Sequence, residues 1–176
     1  MTEVAEKLNN QAIILAERGA YDDAIACLNR AVTLEQDNYL LWFNLGVTYR
    51  DAGKLSEAKL ALDKAVEINP EDEDTLDSLA VLCFLMDEFA DALLYCADGL
   101  ELNPNNPKFW NTTGVVYFNC RQYNDACYAF EQAVMLNPYY YDAMFNLRDT
   151  YEKLGNVNGY KECRRKLKEM KKLGQS

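Results

Sequence analysis

The chain has 176 residues, of which 49% are hydrophobic and 26% are charged, a composition typical of a folded protein. Its net charge is −10 and it contains no histidine. The negative charge argues against nucleic acid as a ligand, because the Lys and Arg side chains that neutralise phosphates supply most of that affinity. The lack of histidine removes the commonest general base and the commonest metal ligand.

The first residues include acids and form no long apolar core, so they do not resemble a signal peptide. The longest apolar run, from Leu79 to Met86, is far shorter than the roughly 20 residues that cross a bilayer. No linker rich in proline, glycine or serine interrupts the chain. We therefore expect one domain over residues 1–176, without a membrane span and located in the cytoplasm.

Apolar and small residues recur along the chain with a constant step of 34 residues. The five blocks begin at Ala5, Tyr39, Glu73, Pro107 and Tyr141, and places are counted from the start of each block. Place 4 holds Leu8, Trp42, Leu76, Trp110 and Met144. Place 8 holds Ala12, Gly46, Ala80, Gly114 and Arg148, and place 20 holds Ala24, Ala58, Ala92, Ala126 and Tyr160. Place 32 holds Gln36, Pro70, Pro104, Pro138 and Lys172.

Each block predicts two packed helices. Places 4, 7, 8 and 11 share one helical face, and places 20, 24 and 27 share a face of the second helix. The small residues at places 8 and 20 allow the two helices to approach closely. Glycine at place 15 suits the left-handed end of the first helix, with Asp87 and Arg121 as exceptions, and proline at place 32 ends the second. Such a hairpin cannot bury its apolar face alone, so the blocks must stack.

The second block carries a recognisable motif. Trp42, Leu45, Gly46 and Tyr49 match W-x2-L-G-x2-Y, and they are followed by an alanine, a leucine in the phenylalanine place and a closing proline: Ala58, Leu62 and Pro70. The chain resembles tetratricopeptide repeat proteins from Ala5 to about Gly174. The resemblance implies an all-α fold, an α-α superhelix (solenoid) of about five hairpins. The repeats would cover residues 5–38, 39–72, 73–106, 107–140 and 141–174.

The fifth block departs from the motif in its second half, where Tyr160 and Arg164 replace small and apolar residues. Tyr160, Leu167, Met170 and Leu173 lie on one stripe of that helix, and charged residues surround it. We predict a charged capping helix, which repeat arrays require at their ends. Seven basic and two acidic residues lie between Lys161 and Lys172. They indicate either a solvated last helix or a contact with an anionic partner.

Catalytic and metal-binding motifs are not evident. The six cysteines form no C-x2-C pair, and we interpret them as structural thiols, with only Cys83 and Cys96 worth a check for proximity. The acidic run from Glu71 to Asp74 lacks the spacing of a calcium loop and precedes a predicted helix. We therefore predict a non-catalytic protein without a cofactor or a metal ion.

In the family, places 2, 5, 6, 9, 12 and 13 of the first helix line a concave groove. Place 6 is polar in every block, with Asn10, Asn44, Ser78, Thr112 and Asn146. Asparagine amides can donate to and accept from an extended peptide backbone, so we predict that Asn10, Asn44, Asn111 and Asn146 form an amide ladder. The alternative is that place 6 is merely exposed and accepts any polar residue.

An apolar strip lies beside the predicted ladder. Its phenylalanines are Phe43, Phe84, Phe118 and Phe145, and its valines at place 9 are Val47, Val81 and Val115. Exposed apolar patches on folded proteins usually indicate binding. Acids outnumber bases at the groove places, which favours a neutral or basic ligand with apolar anchors.

The sequence therefore predicts an adaptor that binds a peptide segment of a partner protein in its concave groove. The alternative is a structural subunit whose groove or array end is covered by self-association or by a permanent partner. An enzyme is the least supported of the three classes, because the sequence has no nucleophile–base pair and no phosphate loop.

Overall fold

The computed structural model describes residues 4–174, and these residues form ten α-helices and no strand. The helices are α1 (Ala5–Glu17), α2 (Tyr21–Leu34), α3 (Tyr39–Asp51), α4 (Leu55–Ile68), α5 (Glu73–Leu85), α6 (Phe89–Leu102), α7 (Pro107–Asn119), α8 (Tyr123–Leu136), α9 (Tyr141–Lys153) and α10 (Val157–Lys172). The odd-numbered helices begin at the first residues of the five sequence blocks. The predicted all-α fold class is confirmed.

The chain divides into two compact units, Met1–Glu88 and Phe89–Ser176. Unit 1 contains α1 to α5 and unit 2 contains α6 to α10, and each is described by itself. The assignment of residues 1–176 to one domain, with its five repeat ranges, stays a prediction.

In unit 1, α1 packs against α2, α3 packs against both α2 and α4, and α5 packs against α4. In its core, large side chains pack against small residues of the neighbouring helix, as the 34-residue pattern predicts. At Gly46 on α3, an added Cβ would lie 2.6 Å from Cγ of Leu62, so α3 and α4 approach closely there. Asp72 is the N-cap of α5, and its side chain accepts a hydrogen bond from the Thr75 N–H at 2.9 Å. The acidic run thus lies at a helix start, where negative charge is favourable.

In unit 2, α7 packs against α6 and α8, and α9 packs against α8 and α10. The core of its last helices includes Phe130, Met144, Leu147 and Leu167, all buried. Gly114 on α7 leaves room for the Phe130 ring, because a Cβ there would lie 2.6 Å from Cδ1 of that ring. The ring therefore packs directly against the backbone of α7 at Gly114.

Two tryptophans at place 4 form hydrogen bonds with the turns between successive hairpins. Trp42 Nε1 donates to the carbonyl oxygen of Gln36 at 2.8 Å, and Trp110 Nε1 donates to the carbonyl oxygen of Pro104 at 3.3 Å. Both acceptors occupy place 32 of the preceding block. The indole thus fills the space beside the second helix and satisfies its own donor there.

Helix α10 buries Cys163, Leu167 and Met170 against its neighbours, whereas Leu173 is 66% exposed. Leu173 was predicted on the apolar stripe of this helix and instead lies beyond the last buried turn. The capping role of α10 stays a prediction.

Place 15 follows the first helix of each hairpin and has a positive φ in all five blocks. Three blocks have glycine there, with φ of 75° at Gly19 and Gly53 and 70° at Gly155. Asp87 and Arg121 adopt φ of 61° and 60°. A side chain in this left-handed region costs roughly 1–2 kcal/mol, and aspartate tolerates it better than arginine does.

Changing Arg121 to glycine is expected to raise the free energy of unfolding by about 0.5–1 kcal/mol. The change relieves the left-handed strain but makes the unfolded chain more flexible, which offsets part of the gain. Urea denaturation measures it. Arg121→Ala is the control, because it removes the same charge and keeps the strained Cβ. If the alanine variant gains as much stability as the glycine variant, backbone strain is not the cause.

Candidate functional site

The predicted groove residues of unit 1 lie on three first helices. Asn10 on α1 is exposed, and Phe43, Asn44 and Val47 on α3 are half-buried. Val81 and Phe84 lie on α5 and are also half-buried. The remaining predicted residues, Asn111, Val115, Phe118, Phe145 and Asn146, lie in unit 2 on α7 and α9.

Two asparagine pairs link neighbouring first helices. Asn44 Nδ2 donates to Oδ1 of Asn9 at 2.8 Å, and Asn146 Nδ2 donates to Oδ1 of Asn111 at 3.1 Å. In both pairs a place-6 amide reaches back to a place-5 amide of the block before. One N–H of each donor is therefore used to join α1 to α3 and α7 to α9.

The pairing changes how the predicted ladder is understood. Each amide pair retains further donors and acceptors, so it can both hold two helices and present polar groups to a ligand. Asn9 was missed by the sequence reasoning, although Asn9 and Asn111 occupy the same place and precede Asn44 and Asn146 by the same interval. Ser78 and Thr112, also at place 6, are only 8% and 7% exposed. These two side chains therefore add little exposed polar surface to the predicted ladder.

A small pocket opens between α7 and α9. Three of the predicted groove residues, Val115, Phe118 and Asn146, line it together with Asp149, and Phe130 of α8 also contributes. The cavity volume is about 90 Å³. Phe118 is held in place by Tyr123, whose ring it meets edge to face at a centroid distance of 5.3 Å. We call this feature, defined by these five lining residues, the groove pocket.

The charges beside the groove pocket are partly neutralised. Arg148 Nε donates to Oδ1 of Asp149 at 2.8 Å, and its guanidinium lies 3.9 Å from the centroid of the Phe145 ring. Arg148 stands at place 8, where a small residue was expected, so its effect on the groove was not anticipated. In unit 1, Arg50 binds Asp51 in the same way at 2.9 Å. The acidic excess predicted for the groove is therefore smaller by the one charge of Arg148, since Arg50 was already among the groove bases.

The six cysteines differ in burial, and none of them is in a disulfide bond. Cys83 and Cys96 are both buried, one in each unit, and Cys27, Cys120, Cys127 and Cys163 are free thiols. Burial and the nearby Glu131 carboxylate raise the pKa of Cys127 to about 12, so it is not a thiolate at neutral pH. Residues 4–174 contain no group of three His, Cys, Asp or Glu side chains arranged to hold a metal ion.

In the same described range, no helix has both the length and the apolar character that a bilayer crossing requires.

Successive helix pairs with small residues at their contacts, and asparagine-linked first helices, define an α-helical repeat protein. A family model described as tetratricopeptide repeat matches residues 9–73, and a second with the same description matches residues 95–128. Together the two ranges cover more than half of the chain. The chain belongs to the tetratricopeptide repeat family, whose repeats are protein–protein interaction modules and generally non-catalytic.

Solved structures share this fold at low sequence identity. A crystal structure of MamA is 21% identical and covers 99% of this chain and 98% of its own, with a TM-score of 0.79. PilF of Pseudomonas aeruginosa is 14% identical and covers 94% of this chain and 76% of its own, with a TM-score of 0.85. YrrB, described as a TPR protein with an unusual peptide-binding site, is 23% identical and covers 93% and 84%, with a TM-score of 0.67. No curated protein matches the sequence.

Proposed function

We propose that the chain is a non-catalytic, cytoplasmic adaptor whose first helices bind a peptide segment of a partner protein. The observation that carries this proposal is the groove pocket, in which Val115, Phe118 and Asn146 meet in a cavity of about 90 Å³. Its mixture of apolar walls and a few polar groups is the usual composition of a ligand site. The peptide-binding site attributed to YrrB is a precedent within the same fold.

The chemistry of the groove pocket suggests what the peptide presents. An apolar side chain would lie against Val115, Phe118 and Phe130, and the peptide backbone would pair with the amide of Asn146. Oδ2 of Asp149 remains as an acceptor for the peptide, since Arg148 binds Oδ1. A neutral or basic segment with apolar anchors therefore fits this pocket.

Changing Phe118 to alanine is expected to weaken binding about tenfold or more, because burial of a phenylalanine side chain contributes about 1.5–3 kcal/mol. The ligands are peptides selected from a random library on the wild-type chain, and calorimetry measures their Kd. Asn146→Ala is expected to weaken binding about fivefold, which corresponds to one net hydrogen bond of about 1 kcal/mol.

The matched control is Leu94→Ser, which changes an exposed leucine on α6 away from the groove pocket. It should leave the Kd unchanged. The proposal is overturned if the selected peptides bind the Phe118 variant as tightly as the wild type. It is also overturned if light scattering shows a stable dimer that selects no peptide, which would support the structural-subunit alternative.

A further inference from the structure

A second cavity lies in unit 2 between α8, α9 and α10, with a volume of about 280 Å³. Its apolar walls are Val134, Met144 and Leu147, and Glu131, Met135, Glu162 and Lys166 are among its other lining residues. We call it the Met144 cleft. On α9, Met144, Leu147 and Tyr151 follow a spacing of three and four residues, which places them on one side of the helix. Asn146 and Asp149 of the groove pocket lie on the other side, so the two sites are separate.

The repeat explains why this cleft is open. In the fourth block, place 4 is Trp110, whose ring meets Tyr128 of place 22 edge to face at 5.9 Å and donates to Pro104. In the fifth block the corresponding residues are Met144, Glu162 and Pro138. Met144 and Glu162 line the Met144 cleft, and Pro138 lines an adjoining cavity of about 200 Å³ that also includes Lys166. The cleft therefore corresponds to the space that the Trp110 indole fills one block earlier.

The volume and the lining both suit an aromatic side chain. An apolar cavity of roughly 150 Å³ is enough to bind benzene, and the Met144 cleft is larger. Methionine side chains adapt to aromatic rings and make favourable sulfur contacts with them. Met144 forms part of the wall, and Met135 stands at the entrance with 66% of its surface exposed.

The charge at the cleft adds a second requirement. Oε1 of Glu131 accepts hydrogen bonds from the Tyr151 hydroxyl at 2.7 Å and from Sγ of Cys127 at 3.5 Å. Glu162 is paired with Arg165 at 2.6 Å and lies 4.0 Å from Lys166, whereas Glu131 forms no ion pair with any residue in the described part of the chain. Oε2 of Glu131 is therefore available to a cation that enters with the aromatic group.

We propose that the Met144 cleft is a second docking site, which binds a tryptophan side chain of a partner protein next to a lysine or arginine. The partner's indole would lie on Met144, in the place that corresponds to the Trp110 ring one block earlier. Its N–H would donate to the Pro138 carbonyl oxygen, as Trp110 Nε1 donates to that of Pro104. The cation would face Glu131. This site is independent of the groove pocket, and one partner or two could use them together.

The experiment follows the methionine methyl groups by NMR while capped dipeptides are added to the full chain. With a Trp-Arg dipeptide, the methyl signals of Met135 and Met144 should shift, and that of Met86 in unit 1 should not. A Trp-Glu dipeptide should bind about tenfold more weakly, and a Leu-Arg dipeptide should bind more weakly as well. The proposal fails if Met144 does not shift with Trp-Arg, or if Leu-Arg or Trp-Glu binds as tightly.

Variants separate this site from the groove. Met144→Trp should reduce Trp-Arg binding about tenfold or more, because the chain's own indole then fills the cleft. If Met144→Trp folds poorly, Met135→Lys tests the same site, because Met135 is exposed at the entrance. It should also weaken Trp-Arg binding. Glu131→Gln keeps an acceptor for Tyr151 and should remove the preference for Trp-Arg over Trp-Glu. Phe118→Ala should leave dipeptide binding unchanged. If Met135→Lys and Glu131→Gln leave binding unaltered, the site is wrong.

Discussion

Changing Phe130 to alanine is expected to lower the free energy of unfolding by about 3–5 kcal/mol, as for other fully buried phenylalanines. The ring is 1% exposed and belongs to the core that joins α8, α9 and α10. It also fills the space above Gly114, where the chain has no side chain of its own. Its removal leaves a cavity beside the Gly114 backbone, so the cost should lie within this range.

The change should also damage the groove pocket, because Phe130 contributes to its lining. Urea denaturation followed by circular dichroism measures the loss, and an unchanged m-value shows that the folded and unfolded states remain comparable. Phe130→Leu is the matched control, since it keeps most of the volume and should cost less. A loss below about 1 kcal/mol for the alanine variant would contradict the packing described for this residue.

Changing Gly99 to alanine is expected to destabilise the protein by about 1–3 kcal/mol through overpacking. A Cβ at this position would lie 2.2 Å from Cζ of Phe109, whose ring is fully buried between α6 and α7. The ring cannot leave without opening the core. Thermal and urea unfolding both measure this loss.

The other blocks indicate how to rescue that variant. Gly99 stands at place 27 and Phe109 at place 3 of the next block, where the first pair of blocks has Ala31 and Leu41. The double variant Gly99→Ala with Phe109→Leu recreates that pair. The loss of stability in the double variant should be smaller than the sum of the losses in the two single variants, by about 1 kcal/mol or more. Strictly additive effects would show that the two residues do not compensate each other in size.

Much of the local structure could be predicted from the comparison of the five sequence blocks. Helix starts follow from the 34-residue step, and the turn at place 15 follows from glycine in three blocks. At Asp87 and Arg121 the chain adopts the same left-handed turn without glycine. The packing of the two helices around that turn therefore fixes its geometry, even where the local residue is unfavourable.

The candidate site was predicted less completely. Val115, Phe118 and Asn146 do meet in one pocket, and Asp149 joins them from place 9, a predicted groove place. Phe130 completes the pocket from α8, outside the predicted groove places. Asn44 and Asn146 each donate one N–H to an asparagine of the preceding block. These contacts depend on side chains about 35 residues apart, whose distance and rotamers are not encoded in the spacing of a single helix.

The sequence by itself determined the helical hairpin and its repeat, because helical periodicity, small residues at contacts and turn glycines act within a few residues of each other. The tertiary structure decided which polar groups pair and where space is left. Arg148 lies over Phe145 and binds Asp149, and a cleft of about 280 Å³ opens beside Met144, at the place where the block before has Trp110. Such features arise from the fit between neighbouring helices, since a cavity or a shared hydrogen bond belongs to two surfaces at once.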